Sequence, residues 1–322
     1  MNARVSAKGA KLLERQDYEQ LIKMESNEIA RRLEEGSYSD EIDALGSQLE
    51  GVQLVEAALR NNLYRELSQL IEISPNGLKE VIETYIRRID VTSYKRLIRW
   101  KKSSGEEDLW AVVAPGYRLS MERIEELSEK ELEEIIDEIN LDTEKDYTSE
   151  MNASDSLEEL ENALDTAYFS ELLAKAEKTG NQQFIKFVES EIEYENVRTI
   201  LRLKKHDVSE EDIRERLIDV GDNKLTEKCI EADGFKRTVE ILEESDWEVE
   251  EGSLENIEHQ LKIARRRKAR TAMKTESMGL TSVLAYILAK IVEVNNLRMI
   301  VQAKATGLQT QEEIKENLVI DE

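Results

Sequence analysis

Residues able to do chemistry are present in this chain but are rarely gathered. His206 and His259 are the only histidines, and neither has a second His or a Cys at the spacing of a metal ligand set. Cys229 is the sole cysteine, so an intrachain disulfide is excluded; it reads as a small buried hydrophobe in a reducing compartment. Carboxylates are abundant, yet Glu125–Glu126 and Glu133–Glu134 fall away from the apolar side of their helices, as a solvated face does. No G-x-x-x-x-G-K-[ST] loop and no strand-anchored G-x-G-x-x-G is present to cradle a phosphate. Paired Glu-x-x-His motifs of a di-iron bundle are missing as well. The reading therefore assigns no catalytic, metal or cofactor-binding residue.

One run breaks the acidic background. "KIARRRKARTAMK" carries Lys262, Arg265, Arg266, Arg267, Lys268, Arg270 and Lys274. It reads either as a solvated helix face balanced by nearby carboxylates or as a docking patch for an acidic partner or lipid headgroups. Nucleic acid fits less well, because no aromatic residue interleaves the charges.

A second set of polar residues recurs. "DVTSYKRLIRWKK", "ENVRTILRLKK" and "EVNNLRMIVQAKA" carry a common pattern whose first position is Asp90, Glu193 (two residues before the second phrase) and Glu293, spaced by 103 and 100 residues. Ser93, Asn196 and Asn296 follow, then Lys95, Arg198 and Arg298, and Lys101, Lys204 and Lys304 close it. Asparagine gains little inside a helix, so this position is expected to bond a neighbouring helix and fix its register.

The elements that must position these residues are helices. Leu132, Ile135, Ile136 and Ile139 share one helix face. Ser128 with Glu131, and Ser156 with Glu159, have capping-box spacing. Turns are expected at Ser74–Gly77, after Lys102, at Ala114–Gly116 and at Val220–Asn223. Trp110 to Val113 has strand-like composition but no partner, and the whole chain is read as all-α. With 2 prolines, 13 glycines and 36% charged residues in 322, the chain reads as slender helices with wet faces.

An earlier helix also repeats, Val55, Leu59 and Leu63 matching Leu160, Leu164 and Tyr168. The block after Gly116 resembles that after Gly221; its third counterpart lies not at the C-terminus but after Gly9. The spacing thus predicts repeats at 50–152, 153–251 and 252–322, the last completed by residues 1–49. Three similar lobes would then close in a pseudo-threefold, where an open solenoid would need end caps.

The net charge of −25 disfavours nucleic acid and anionic lipid and would suit a salty cytoplasm. No signal-peptide pattern opens the chain. The longest apolar stretch, Gly279 to Val292, falls short of the roughly 20 residues a membrane span needs. A soluble protein is expected.

"NARVSAKGAKLLERQDYEQL" at Asn2–Leu21, "ENVRTILRLKK", and "VNNLRMIVQAKATGL" at Val294–Leu308, together with the threefold layout, resemble the C subunit of archaeal and vacuolar-type rotary ATPases, the counterpart of the eukaryotic d subunit. The likeness spans almost the whole chain. Its closing motif is the more specific, and it departs at Ser93, where the family pattern calls for Asn. The resemblance implies a funnel of three helical lobes, peripheral at the cytoplasmic face of the membrane. Such a funnel sits on the rotor ring and receives the central-stalk tip, serving proton or sodium transport. It implies no cofactor and no catalysis of its own, ATP chemistry belonging to other subunits. Two other readings are open: a stand-alone helical adaptor binding a soluble partner, and a helical enzyme with its site in a central cavity.

Overall fold

A computed structural model describes residues 2–103, 105, 108–141, 151–221, 224–275 and 280–320. Of the expected turns, Ser104, Glu106, Glu107, Asp222 and Asn223 lie outside the described residues, as does Gly279 at the start of the apolar stretch. Among the described residues the protein is all-α, with no strand. Its helices are α1 (Asn2–Gly9), α2 (Arg15–Leu21), α3 (Ser26–Glu34), α4 (Ser39–Leu45), α5 (Gly51–Glu72), α6 (Asn76–Ile86), α7 (Arg88–Lys102), α8 (Leu109–Val112) and α9 (Met121–Ser128). They continue as α10 (Leu132–Leu141), α11 (Leu157–Lys178), α12 (Gln182–Lys205), α13 (Glu210–Glu215), α14 (Lys224–Glu231), α15 (Gly234–Glu243), α16 (Leu254–Thr275), α17 (Leu280–Thr306) and α18 (Gln311–Asn317). The strand-like composition at Trp110 resolves as the single turn α8, capped by Asp108, whose carboxylate accepts from the Trp110 amide.

Capping follows the sequence in one place and departs in another. Ser156 and Glu159 form the capping box that opens α11. Ser128 instead ends α9, where its hydroxyl donates to the Glu125 carbonyl at 2.7 Å. Glu131, directly before α10, takes the amide-to-carboxylate bond with Glu134 at 3.1 Å. A hydroxyl held by its own helix's last turn is not available to cap the next one.

The chain divides into two compact units, one of residues 1–79 with 255–322 and one of residues 80–254. In the first unit, α17 packs along α5 and also meets α1, α3 and α18. Val55, Leu59 and Leu67 on α5 and Val283, Leu284 and Ile287 on α17 are almost fully buried, each such side chain contributing roughly 1.5–3 kcal/mol. α17 carries both the apolar stretch and the recurring phrase after it on one helix. By length and composition its 27 residues could cross a membrane, but 78% of the most apolar window is buried inside the protein. It continues past Val292 because Glu293 and Asn296, on its inner side, find partners there. Gly307, at φ 63°, ends it by donating to the Ala303 carbonyl, in a conformation that suits a residue without Cβ.

In the second unit α7 and α12 both pack on α11. Tyr94, Leu97 and Ile98 of α7 share a core with Ile124, Leu127, Ile135, Leu160 and Leu164. Where α6 passes into α7, Arg87 pairs with the buried Glu171 at 2.8 Å and Arg88 with the buried Glu191 at 2.7 Å. Lys175 also meets Glu171, at 2.9 Å. Two cations on one buried carboxylate are the condition under which a buried ion pair holds an element in place without leaving charge uncompensated.

Candidate functional site

Several of the recurring polar residues tie the long helix that carries them to chain outside it, in two cases by clamping backbone of the segment that follows. Asn196 on α12 donates through Nδ2 to the Ile218 carbonyl and accepts from the Ile218 amide, both at 2.9 Å. Asn296 on α17 repeats this on Val319, with both bonds at 3.0 Å. The expectation of a neighbouring helix as partner is thereby corrected. Ile218 and Val319 lie in non-helical backbone after α13 and α18, whose amide and carbonyl have no helical ladder to join and so accept a side-chain amide.

Ser93 makes no such clamp. Its hydroxyl turns back to the Ile89 carbonyl of its own helix at 3.1 Å. Asp90, one turn earlier on α7, takes over: its Oδ1 accepts from the Arg118 amide at 2.8 Å and the Leu119 amide at 3.0 Å. The loop comes so close that a Cβ on Gly116 would lie 2.9 Å from the Asp90 Cα, which explains a glycine there. Asp90 is buried and its Oδ2 has no partner among the described residues. Burial therefore pushes its carboxyl above the usual aspartate range, against the lowering by the Leu119 and Arg118 amides.

Glu293 is the counterpart of Asp90 on α17. It accepts from the Leu13 amide at 2.6 Å, the Tyr38 hydroxyl at 2.7 Å and the Lys290 ammonium at 2.7 Å. Leu13 stands just before the cap of α2 as Leu119 stands just before the cap of α9. Lys290 also donates to the Tyr38 hydroxyl at 2.9 Å and lies over its ring. Burial beside Glu293 holds that hydroxyl well above the usual tyrosine range. Glu193 on α12 accepts from the Trp247 indole at 2.6 Å. Tyr38 and Trp247 were missed by the sequence reading. A signal existed: each is an aromatic donor four residues beyond the second short helix of its block, α3 or α15.

Two of the three closing lysines cap helix ends. Lys101 donates to the Ser128 carbonyl at 3.0 Å and Lys204 to the Ala232 carbonyl at 2.7 Å, at the C-terminal ends of α9 and α14. Lys304 is half-buried on α17. Lys95 pairs with Asp165, and its neighbour Arg99 with Glu161 at 2.6 Å, joining α7 to α11. Arg298 reaches Glu56 at 2.7 Å and Gln302 reaches it at 3.0 Å, joining α17 to α5. Arg198 stays on its own helix, 2.8 Å from Glu195 and above the Tyr194 ring.

The basic run lies on α16. Lys262, Arg267 and Arg270 are exposed, whereas Arg265, Arg266 and Lys268 are half-buried, and each of the six has a partner within the protein. Arg266 donates to the Val319 carbonyl, the same oxygen Asn296 holds. The side chain of Lys274 lies outside the described residues. Cys229 is buried in α14, and burial pushes its thiol up to about 12, which silences it as a nucleophile. Half-burial beside Lys262 lowers the His259 imidazole. Among the described residues no group of three or more His, Cys, Asp or Glu could hold a metal ion.

Residues 1–317 match a family model described as ATP synthase (C/AC39) subunit. The chain is 33% identical to the A-type ATP synthase C subunit of Methanococcoides burtonii, over 99% of this chain and 93% of that one. It is 30% identical to the A-type ATP synthase C subunit of Haloquadratum walsbyi, over 99% and 97%, and 29% identical to that of Archaeoglobus fulgidus, over 99% and 95%. A family model that covers residues 1–317 and a likeness to these relatives that runs end to end carry one conclusion: the chain belongs to the ATP synthase (C/AC39) subunit family.

Proposed function

We propose that the chain is a non-catalytic subunit of an A-type ATP synthase, a socket that couples the central stalk to the membrane rotor ring at the cytoplasmic face. In this reading its repeats, 50–152, 153–251 and 252–322 with 1–49, are three similar lobes arranged about an axis. The observation that carries it is the Glu293 clamp. A carboxylate near the C-terminus is bonded by the Leu13 amide and the Tyr38 hydroxyl, so the two ends of the polypeptide build one compact unit. Support also comes from a recurring helix pairing, α7 with α11 in one unit and α17 with α5 in the other. A part that transmits torque needs a framework whose ends do not fray, and it needs interfaces of more than about 1,000 Å² to avoid slipping. It acts through contacts and needs no cofactor.

Co-expression with the stalk and ring subunits of an A-type complex tests the reading. The chain is expected to bridge them, so that pulling on a stalk protein recovers ring proteins only when the chain is present. Recovery of the ring without the chain, or a chain that stays alone at moderate salt beside both, would end the proposal.

A further inference from the structure

In the second compact unit an open groove of about 640 Å³ runs between α7–α8 and α9. Its floor is Trp100 and Leu109, both half-buried on the edge of the core cluster. Glu122, Glu125 and Glu126 on α9, with Glu129 at its C-cap, form its wall. Trp110 and Met121, next in the chain to lining residues, are 36% and 38% exposed, two of the three large hydrophobics most open to solvent among the described residues. Glu126 is already paired with Arg123 at 2.7 Å and Lys130 at 3.7 Å. The Glu122 carboxyl is held below the usual range by its own amide and the Ser120 hydroxyl, so it stays charged. Glu125 and Glu129 are exposed, and neither has an ion pair among the described residues. One wall is thus negative and the floor apolar.

From this pairing of surfaces we infer that the groove is a docking site for a basic amphipathic helix of a partner protein. Such a helix would set Lys or Arg side chains against Glu122, Glu125 and Glu129 and its apolar face on Trp100 and Leu109, extending to the exposed Trp110 beside the groove. An apolar floor beside a negative wall favours this occupant, since it takes the apolar side chains while the wall takes the cations. Nucleic acid and anionic lipid are repelled by the same carboxylates. A lone metal ion would leave the apolar floor uncovered. The inference is independent of the socket reading: it requires only the fold of the second unit.

The full-length chain should be titrated against a fluorescein-labelled amphipathic Lys/Leu peptide of about 15 residues, roughly four helical turns, with its Glu-for-Lys counterpart alongside. Binding is expected for the Lys peptide only. Glu125→Lys with Glu129→Lys should weaken it about tenfold, the order expected when charge pairs in a partly desolvated groove turn repulsive. Trp110→Ala should weaken it several-fold, by removing the apolar anchor. The control Glu312→Lys with Glu316→Lys on α18 makes the same charge change at the same spacing and should leave affinity unchanged. Far-UV circular dichroism confirms that each variant is folded. Equal weakening by the control, no effect of Trp110→Ala, or no effect of the Glu125/Glu129 pair would each overturn the assignment: the first two mean that charge attracts the peptide without a groove, the last that the wall carboxylates do not hold it.

Discussion

At the scale of single residues, position in a repeat does not guarantee role. Asn196 and Asn296 each hold a carbonyl and an amide of one residue, whereas Ser93 bonds only its own helix. Asn196→Ala and Asn296→Ala should each lower unfolding free energy by about 2–4 kcal/mol, the loss of two buried hydrogen bonds plus the desolvated groups left behind. Ser93→Ala should cost less than about 1 kcal/mol. Urea titration followed by helical signal would decide, and three equal losses would contradict the clamps. Asp90 gives a pH signature. Its folded pKa is raised, so the folded state holds its proton more tightly than the unfolded one. Its contribution is present in full below the ordinary aspartate pKa and is lost as pH rises through the raised value. Asp90→Asn keeps an acceptor for the Arg118 and Leu119 amides and needs no charge. Its stability relative to the parent should therefore improve from acid towards neutral pH and then level off. A difference that stays flat across that window would show that the carboxylate is not penalised by burial.

At the scale of elements, the chain ends are held by chemistry rather than by propensity. α2 and α18 have seven residues each, too short to persist alone. They stay because α17 offers Glu293 to Leu13 and Asn296 to Val319, while Lys315 meets Glu19 at 3.0 Å. Lys290→Met leaves Glu293 buried without its cation and should cost about 3–5 kcal/mol. The double variant Lys290→Met with Glu293→Gln removes the stranded charge and should recover part of the loss. If it recovers none in the same urea titration, Lys290 acts by packing alone. Much of this level was legible in the sequence. The helical period gave α5, α7, α12 and α17, and the offset of the blocks pointed from the N-terminus to the C-terminal helix. The partners were less legible. An asparagine pattern says that a polar bond exists, but not whether a helix or a loop receives it, because loop backbone leaves no periodic trace. Ser128 and Ser156 have the same capping spacing. Only the turn between α9 and α10, which absorbs Ser128 into the preceding helix, tells them apart.

At the scale of the whole molecule, a chain of net charge −25 presents one strongly basic helix, and what that helix does separates a surface detail from an assembly contact. The sequence showed the run but not its division. α16 turns Arg266 inward to the Val319 carbonyl and leaves Lys262, Arg267 and Arg270 outward, because a helix of period 3.6 cannot keep seven closely spaced cations on one face. A docking role therefore rests on the outward three. Lys262→Glu, Arg267→Glu and Arg270→Glu together should weaken recovery of the partner proteins in the co-expression assay several-fold, with a steeper effect at low ionic strength, where screening is weakest. The same change in net charge made at exposed Lys178, Lys186 and Lys236 should leave recovery as it was, which separates a local contact from the field of the whole protein. Arg266→Ala supplies the other boundary: it should lower stability by about 1–3 kcal/mol through the lost charged hydrogen bond while sparing recovery at temperatures where the variant is folded. If the outward reversal and the distant control behave alike, α16 is a solvated face, and its cations serve to offset the surrounding carboxylates.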